Sequence, residues 1–186
     1  MDLEEAIDRR RAVREFTEEP VDGDILRRLI DDATQAPSAM NKQPWSFTVV
    51  RDRPLLDRIS REAKAHMLST LSAGVRPHDF HEQLRNADFQ IFYHAPALIM
   101  ISAVGAGAWA VEDCSLAAEN LMLTACSFGL GTCWIGLAQS WLGTPDGRTS
   151  LGLPATHLPV APIIVGHPKA PAPPVARKAP EVRWIG

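Results

Sequence analysis

The stretch from Val111 to Phe128 constrains this chain more than any other part of it. Its most polar residues recur at a spacing of seven, Glu112 with Glu119, and Asp113 with Asn120 and Ser127, and most of the rest is Ala, Leu, Met, Cys or Val. A helix with one narrow polar stripe must be covered around most of its circumference. In a chain of 186 residues it therefore becomes the central helix, and a second subunit has room to share it. A chain of this length forms one domain and buries about 70% of its unfolded surface without disulfide or metal staples. Residues 1–186 are read as a single domain.

Other elements follow from periodicity and punctuation. Helices are expected over Leu3 to about Arg10, over Asp24 to Ala33, and from Pro54 to about Leu71. Strands are expected over Ser46 to Arg51, Ala97 to Ala103 and Val160 to Val165, with a short strand or turn at Thr132 to Gly136. Ala36 to Trp45 and Gly74 to His81 read as loops. Eight of the fifteen prolines fall between Pro154 and Pro180, so the tail, 166–186, should run extended across a surface or a partner. Helices and strands alternate loosely, which points to the α+β class with a mostly antiparallel or mixed sheet flanked by helices.

Composition excludes several functions. Apolar residues make up 46% and charged residues 22%, with net charge −3, so nothing pulls the chain toward nucleic acid or an anionic membrane. The three cysteines form neither a disulfide framework nor a zinc pattern, and the pair His78 and His81 lacks a third ligand, so no metal is expected. Two stretches without formal charge, Phe89 to Val111 and Asn120 to Pro145, are broken by proline or glycine and flanked by acids, which argues against membrane spans. The charged N-terminus carries no signal region, and a cytoplasmic location is expected.

Four segments carry candidate chemistry. Arg9, Arg10, Arg11 and Arg14 end the first helix. They form either a solvated face paired with Glu4, Glu5 and Asp8, or a phosphate site of converging guanidiniums. Pro37 to Trp45 is either a proline-stiffened loop or a wall of amides and hydroxyls suited to a planar heterocycle. Gly129 to Gly136 caps the central helix and permits close backbone approach, but it is neither a P-loop nor a dinucleotide fingerprint. Arg177 and Lys178 belong to a solvated linker unless the tail folds back on the arginine cluster. No catalytic side chain can be singled out.

Together these segments resemble the FMN-dependent nitroreductase family. RRRAVREF (Arg9 to Phe16) is similar to its N-terminal RRSxRxF element, and APSAMNKQPWSFTVVRD (Ala36 to Asp52) to its PSxxNxQPW loop and following strand. HAPALIMI (His94 to Ile101), the stretch from Trp109 to Gly136 and LGLPATHLPVAPIIVGHP (Leu151 to Pro168) match the later elements in order; Ile59 to Gln90 carries no family signature. The resemblance implies an α+β homodimer with a tail exchanged between subunits and FMN at the interface. Arg10 and Arg14, with Arg11 and Ala12 beside them, would hold the phosphate or ribityl end. Ala12 stands where the family commonly has Ser, which removes one hydroxyl hydrogen bond. Pro37, Ser38, Ala39 and Asn41 would come from the partner subunit and line the flavin. Ile135 and Gly136 would present a backbone amide to it, and Arg177 and Lys178 would return to the phosphate. The implied activity is ping-pong hydride transfer from NADH or NADPH to a small acceptor such as a nitroaromatic or quinone. The alternatives on this scaffold are dehalogenation, heterocycle oxidation, flavin-consuming benzimidazole synthesis, or flavin binding without turnover.

Overall fold

The computed structural model describes residues 1–70, 78–105 and 107–186. Helices α1 (Leu3–Arg9) and α2 (Gly23–Ala33) precede a one-turn 3-10 segment at Ala39–Asn41 and strand β1 (Trp45–Val50). There follow α3 (Arg53–Thr70), α4 (His78–Arg85), β2 (Ala97–Val104), α5 (Ala110–Ser127), β3 (Gly131–Trp134), α6 (Gly136–Leu142), α7 (Pro145–Ser150) and β4 (His157–Gly166). The four strands form one antiparallel sheet in the order β1-β2-β4-β3. The α+β expectation holds.

Strand alternation divides the core into two layers. Ile99, Ile101 and Ala103 of β2 face a cluster made with α2 and α5, while Leu98 and Met100 face a second made with α3 and α6. β4 is a central strand despite Pro159 and Pro162. A bulge opposite Ile101 and Ser102 accommodates the first. Pro162 lies one residue beyond the β3 pairing, and its carbonyl accepts the Ile135 N–H at 2.8 Å.

Three readings are corrected. α5 is central, but this chain alone covers only one side of it: Cys114, Ala117, Ala118, Leu121 and Ala125 are buried, while Val111 and Leu116 are exposed. Asp113 leaves the polar stripe and is itself buried. The expected loop from Gly74 lies outside the described residues as far as 77, and His78 to His81 belong to α4 instead. The two short helices α6 and α7 were not anticipated, because neither is long enough to show a period. No helix among the described residues is long and apolar enough to cross a membrane.

Candidate functional site

The segment that follows α1 is a backbone arm laid along the outer edge of β3. The Val13 N–H donates to the Thr132 carbonyl at 2.9 Å, and Ala12 pairs with Thr132 as a parallel neighbour. Farther on, the Thr17 N–H donates to the His167 carbonyl at 2.9 Å and the Lys169 N–H to the Glu15 carbonyl at 3.1 Å, so the start of the tail is tied to the same arm. Gly131 makes this contact possible. A Cβ there would meet Val13 Cβ at 2.7 Å, closer than two carbons can approach. Gly129, with φ +73°, ends α5 as the expected left-handed cap.

Between the arm, the end of α5 and the tail lies a cleft of about 510 Å³, within the range of small-ligand sites. Arg9, Arg10, Arg11 and Lys169 line it above a floor that includes Val13, Leu130 and Thr132; Asp8 is the one acid among the residues lining it. The arginines are not equally free. Arg9 is bound to Glu5 at 2.8 Å and Arg10 to Glu119 of α5 at 3.1 Å. Arg11 donates one guanidinium N–H to the Arg10 carbonyl at 2.8 Å, and its Nε is buried with no partner among the described residues. Arg9 thus pairs with an acid of its own helix, as the solvated-face alternative expects, Arg10 pairs instead with an acid of α5, and Arg11 retains an unused donor.

The other candidate residues are spread around this cleft. Ala12 is exposed on the arm. The Arg14 guanidinium lies 5.9 Å from the ring centre of Tyr93, which meets Phe89 edge to face. Tyr93 and His94 both have left-handed backbones, with φ 52° and 54°, uncommon for residues other than glycine. Arg14 also lies close enough to Cys133 to oppose the upward push that burial gives its thiol. Ile135 and Gly136 follow at the far end of β3. The Ile135 amide is already bonded to Pro162, whereas Gly136 opens α6, faces open space, and heads a turn whose first amides lack helical partners.

The loop carrying Pro37, Ser38, Ala39 and Asn41 is elsewhere. The Ala39 N–H donates to Asp113 Oδ1 at 2.9 Å, which fixes the loop to the start of α5. The helical rise from Asp113 to Glu119 puts it about 9 Å along α5 from the Arg10 attachment. Its polar groups are turned on themselves: Ser38 Oγ accepts the Gln43 N–H at 2.9 Å, and the Asn41 carbonyl accepts the Gln43 amide at 2.8 Å. Arg177 and Lys178 are exposed and do not line the cleft. The single chain thus unites Arg10 and Arg11 and leaves the other candidates apart from them.

Sequence reasoning missed Lys169 and the Tyr93–His94 turn, and it took in Thr132 only as part of the segment Gly129 to Gly136. Lys169 lies in a proline-rich stretch read as linker, and only the backbone bond to Glu15 brings it to the arm. Lys64 was also missed. It is buried under α4, where its ammonium donates to the carbonyls of Asn86 and Phe89, and burial lowers its pKa. The cavity of about 420 Å³ beside it is framed by this capping contact. No group of three or more metal-ligating side chains occurs among the described residues, and the His78 side chain lies outside them.

A sequence model of the nitroreductase family matches residues 7–167. The chain belongs to the nitroreductase family. Within it, a Methanothermobacter thermautotrophicus protein provisionally named an NADH dehydrogenase/NAD(P)H nitroreductase is 28% identical over 126 residues, which are 65% of this chain and 53% of that protein. The chain spans about half the length, or less, of the first sequence relatives it matches. A Bacteroides fragilis nitroreductase crystallised with bound FMN superposes over 100% of both chains with TM-score 0.87 and 27% identity. An iodotyrosine deiodinase, bound to FMN and 3-iodo-L-tyrosine, covers 100% of both chains with TM-score 0.79; at 23% identity it speaks for the fold alone.

Proposed function

We propose that this nitroreductase-family chain is an FMN-dependent oxidoreductase that uses NADH or NADPH to reduce a small acceptor such as a nitroaromatic or a quinone. The observation that carries the reading is the basic cleft beside the arm, in a chain whose backbone follows an FMN-bound nitroreductase over its whole length. The residues present fit a phosphorylated, planar cofactor. The buried Arg11 Nε has no partner among the described residues, and the space over Gly136 is open. An orphaned buried donor costs free energy until a ligand accepts from it.

FMN, when bound, would supply the hydride chemistry. The chain's own contribution is to bind and orient. The arginine cluster and Lys169 would hold a dianionic phosphate by charge-assisted bonds. Gly136 would offer an unobstructed backbone edge. Arg14, held against Tyr93, would place a fixed cation beside developing negative charge. No side chain needs to transfer a proton in this scheme.

A homodimer is part of the proposal. Leu3 and Ile7 of α1 and Val111 and Leu116 of α5 are exposed apolar side chains, and a second copy would cover them. That copy would supply Pro37, Ser38, Ala39 and Asn41 to the flavin, which agrees with the distance of this loop from the cleft of its own chain. Arg177 and Lys178 would join the phosphate once the tail is ordered by the dimer. Three free cysteines suit a reducing, cytoplasmic setting.

The test is an absorbance spectrum of purified protein supplied with FMN, taken anaerobically before and after NADH and then NADPH. Bound flavin that bleaches with either donor is expected. Bound flavin that stays oxidised would replace turnover with flavin binding or with one of the specialised reactions. Protein that binds no flavin would overturn the reading.

A further inference from the structure

The cavity of about 420 Å³ between α3 and the segment 87–94 shares no lining residue with the basic cleft. Asp57, Arg61 and Lys64 stand at i, i+4 and i+7 on α3 and form one wall; Asp88 belongs to the other. Two acids thus balance two bases, but the four groups are unequally free. The Lys64 ammonium is committed to the carbonyls of Asn86 and Phe89. The Arg61 guanidinium makes no hydrogen bond or ion pair among the described residues, and the Asp88 carboxylate accepts no hydrogen bond from them. Asp57 gives Oδ1 to the Gln90 side-chain amide at 3.0 Å. An organic dianion entering here would meet two carboxylates, and a diamine would meet two cations. A small zwitterion meets neither mismatch.

The same wall is tied to the arm. Gln90, oriented by Asp57, accepts the Phe92 N–H on its side-chain oxygen at 2.6 Å and the Tyr93 N–H on its main-chain carbonyl at 2.9 Å. It thereby holds a turn whose next two residues both have left-handed backbones, Tyr93 with φ 52° and His94 with φ 54°. His94 lines the cavity, and the Tyr93 ring lies 5.9 Å from the Arg14 guanidinium. Consecutive residues in that region have little freedom to move independently. We propose that this cavity binds a free α-amino acid, with its carboxylate on Arg61 and its ammonium between Asp57 and Asp88, and that the Gln90–His94 turn carries its occupancy to Arg14. A planar guanidinium suits the carboxylate, and two carboxylates suit the N–H donors of the ammonium. Neither the cavity nor the turn depends on the flavin reading above.

The test titrates the full chain, without flavin, with each of the common L-amino acids by calorimetry. At least one should bind with a Kd of about 1 mM or tighter. The matching amine without a carboxylate, and the matching acid without an ammonium, should each bind about tenfold more weakly or worse. Arg61→Gln and Asp88→Asn change exposed residues, and each should raise the amino-acid Kd about tenfold with the melting temperature retained. Arg61→Lys should recover part of the loss. Arg58→Ala removes an exposed charge on α3 outside the cavity and should change nothing. Tyr93 is the chain's one tyrosine, so an NMR label on tyrosine reports the turn alone. Saturating ligand should shift its ring resonance, and the shift should shrink when Arg14→Gln removes the guanidinium over the ring. No binding at millimolar concentration, or binding that Arg61→Gln and Asp88→Asn leave untouched, would overturn the site. A Tyr93 resonance that bound ligand leaves in place, or a shift indifferent to Arg14→Gln, would overturn the link to Arg14.

Discussion

The arm at residues 10–17 and the loop at 37–43 are both short, irregular and rich in polar side chains, yet they are built in opposite ways. The arm satisfies its backbone against β3 and the tail and leaves side-chain donors unused, among them Arg11 Nε. The loop satisfies its side chains internally and spends its backbone on strain: Met40, Asn41 and Gln43 all have φ near +50°. Met40 is 88% exposed at its tip. Unused donors beside a cleft suit a ligand held by the same chain. A self-contained, rigid loop projecting apolar surface suits contact with another molecule. The difference is between a segment that receives and one that presents.

The strongest way to break this contrast is to pry the arm from the sheet. Gly131→Ala puts a methyl group 2.7 Å from Val13 Cβ and 2.8 Å from both of its γ-carbons. Overpacking of this kind costs about 2–3 kcal/mol. Melting temperature should fall accordingly and flavin retention should fall with it, while hydrogen exchange in the loop stays unchanged. Adding Val13→Gly, which removes the Cβ at 2.7 Å together with both γ-carbons, should restore part of the loss, since the two changes share one contact. No rescue would mean that Gly131 serves some other purpose.

The converse variant loosens the loop. Asp113→Ala leaves the Ala39 N–H without its acceptor at the start of α5. An unsatisfied, partly buried donor costs about 1–2 kcal/mol. Hydrogen exchange at residues 38–43 should accelerate while the arm keeps its protection. Equal acceleration in both segments would mean that they form one cooperative unit.

These two anchors differ in how far the sequence reveals them. The arm's arginines, the cap at Gly129 and the strands flanking the core are visible because local patterning decides them. Asp113 is not. By spacing it belongs to the polar stripe with Asn120 and Ser127, and only a tertiary bond to the backbone of a residue 74 positions away gives it a reason to be buried. Lys169 is hidden likewise, because proline-rich composition reads as linker and the bond to Glu15 has no local signature. Arg10 is legible as a candidate for phosphate but not as the partner of Glu119. Charge clusters announce themselves in sequence; which member is already paired does not. α6 and α7 escaped because six or seven residues hold too little periodicity to detect.

Two buried thiols report on the two anchors separately. Burial pushes Cys114, beneath the loop's attachment, up to about 12, and Asp113 adds to the rise. Burial also raises Cys133, beneath the arm, but there Arg14 opposes it. A thiol whose pKa is raised by folding contributes stability that is fully present below about pH 9 and is lost as pH climbs toward its folded value. Stability should therefore decline between about pH 9 and 12. Asp113→Asn should lower the Cys114 pKa, and Arg14→Gln should raise that of Cys133 further. At neutral pH a thiol reagent should label half-buried Cys126 first. Rapid labelling of Cys114 or Cys133 in folded protein would show that the corresponding anchor opens.

The smallest expected effect is the one that best separates receiving from presenting. Met40→Gly relieves a left-handed backbone that costs a side-chain-bearing residue about 1–2 kcal/mol, and it gives back about 0.5–1 kcal/mol in unfolded-state entropy. With Met40 exposed in the isolated chain, little packing is lost, so dilute protein should gain about 0.5 kcal/mol. If the loop presents Met40 to a second copy, the same change should weaken association at higher concentration and reduce flavin retention there. Sedimentation and melting curves across a concentration series measure both arms. A gain in stability at every concentration would mean that the strained tip touches nothing. A loss that grows with concentration is the expected mark of a loop held in an unfavourable backbone conformation so that its side chain can reach a partner.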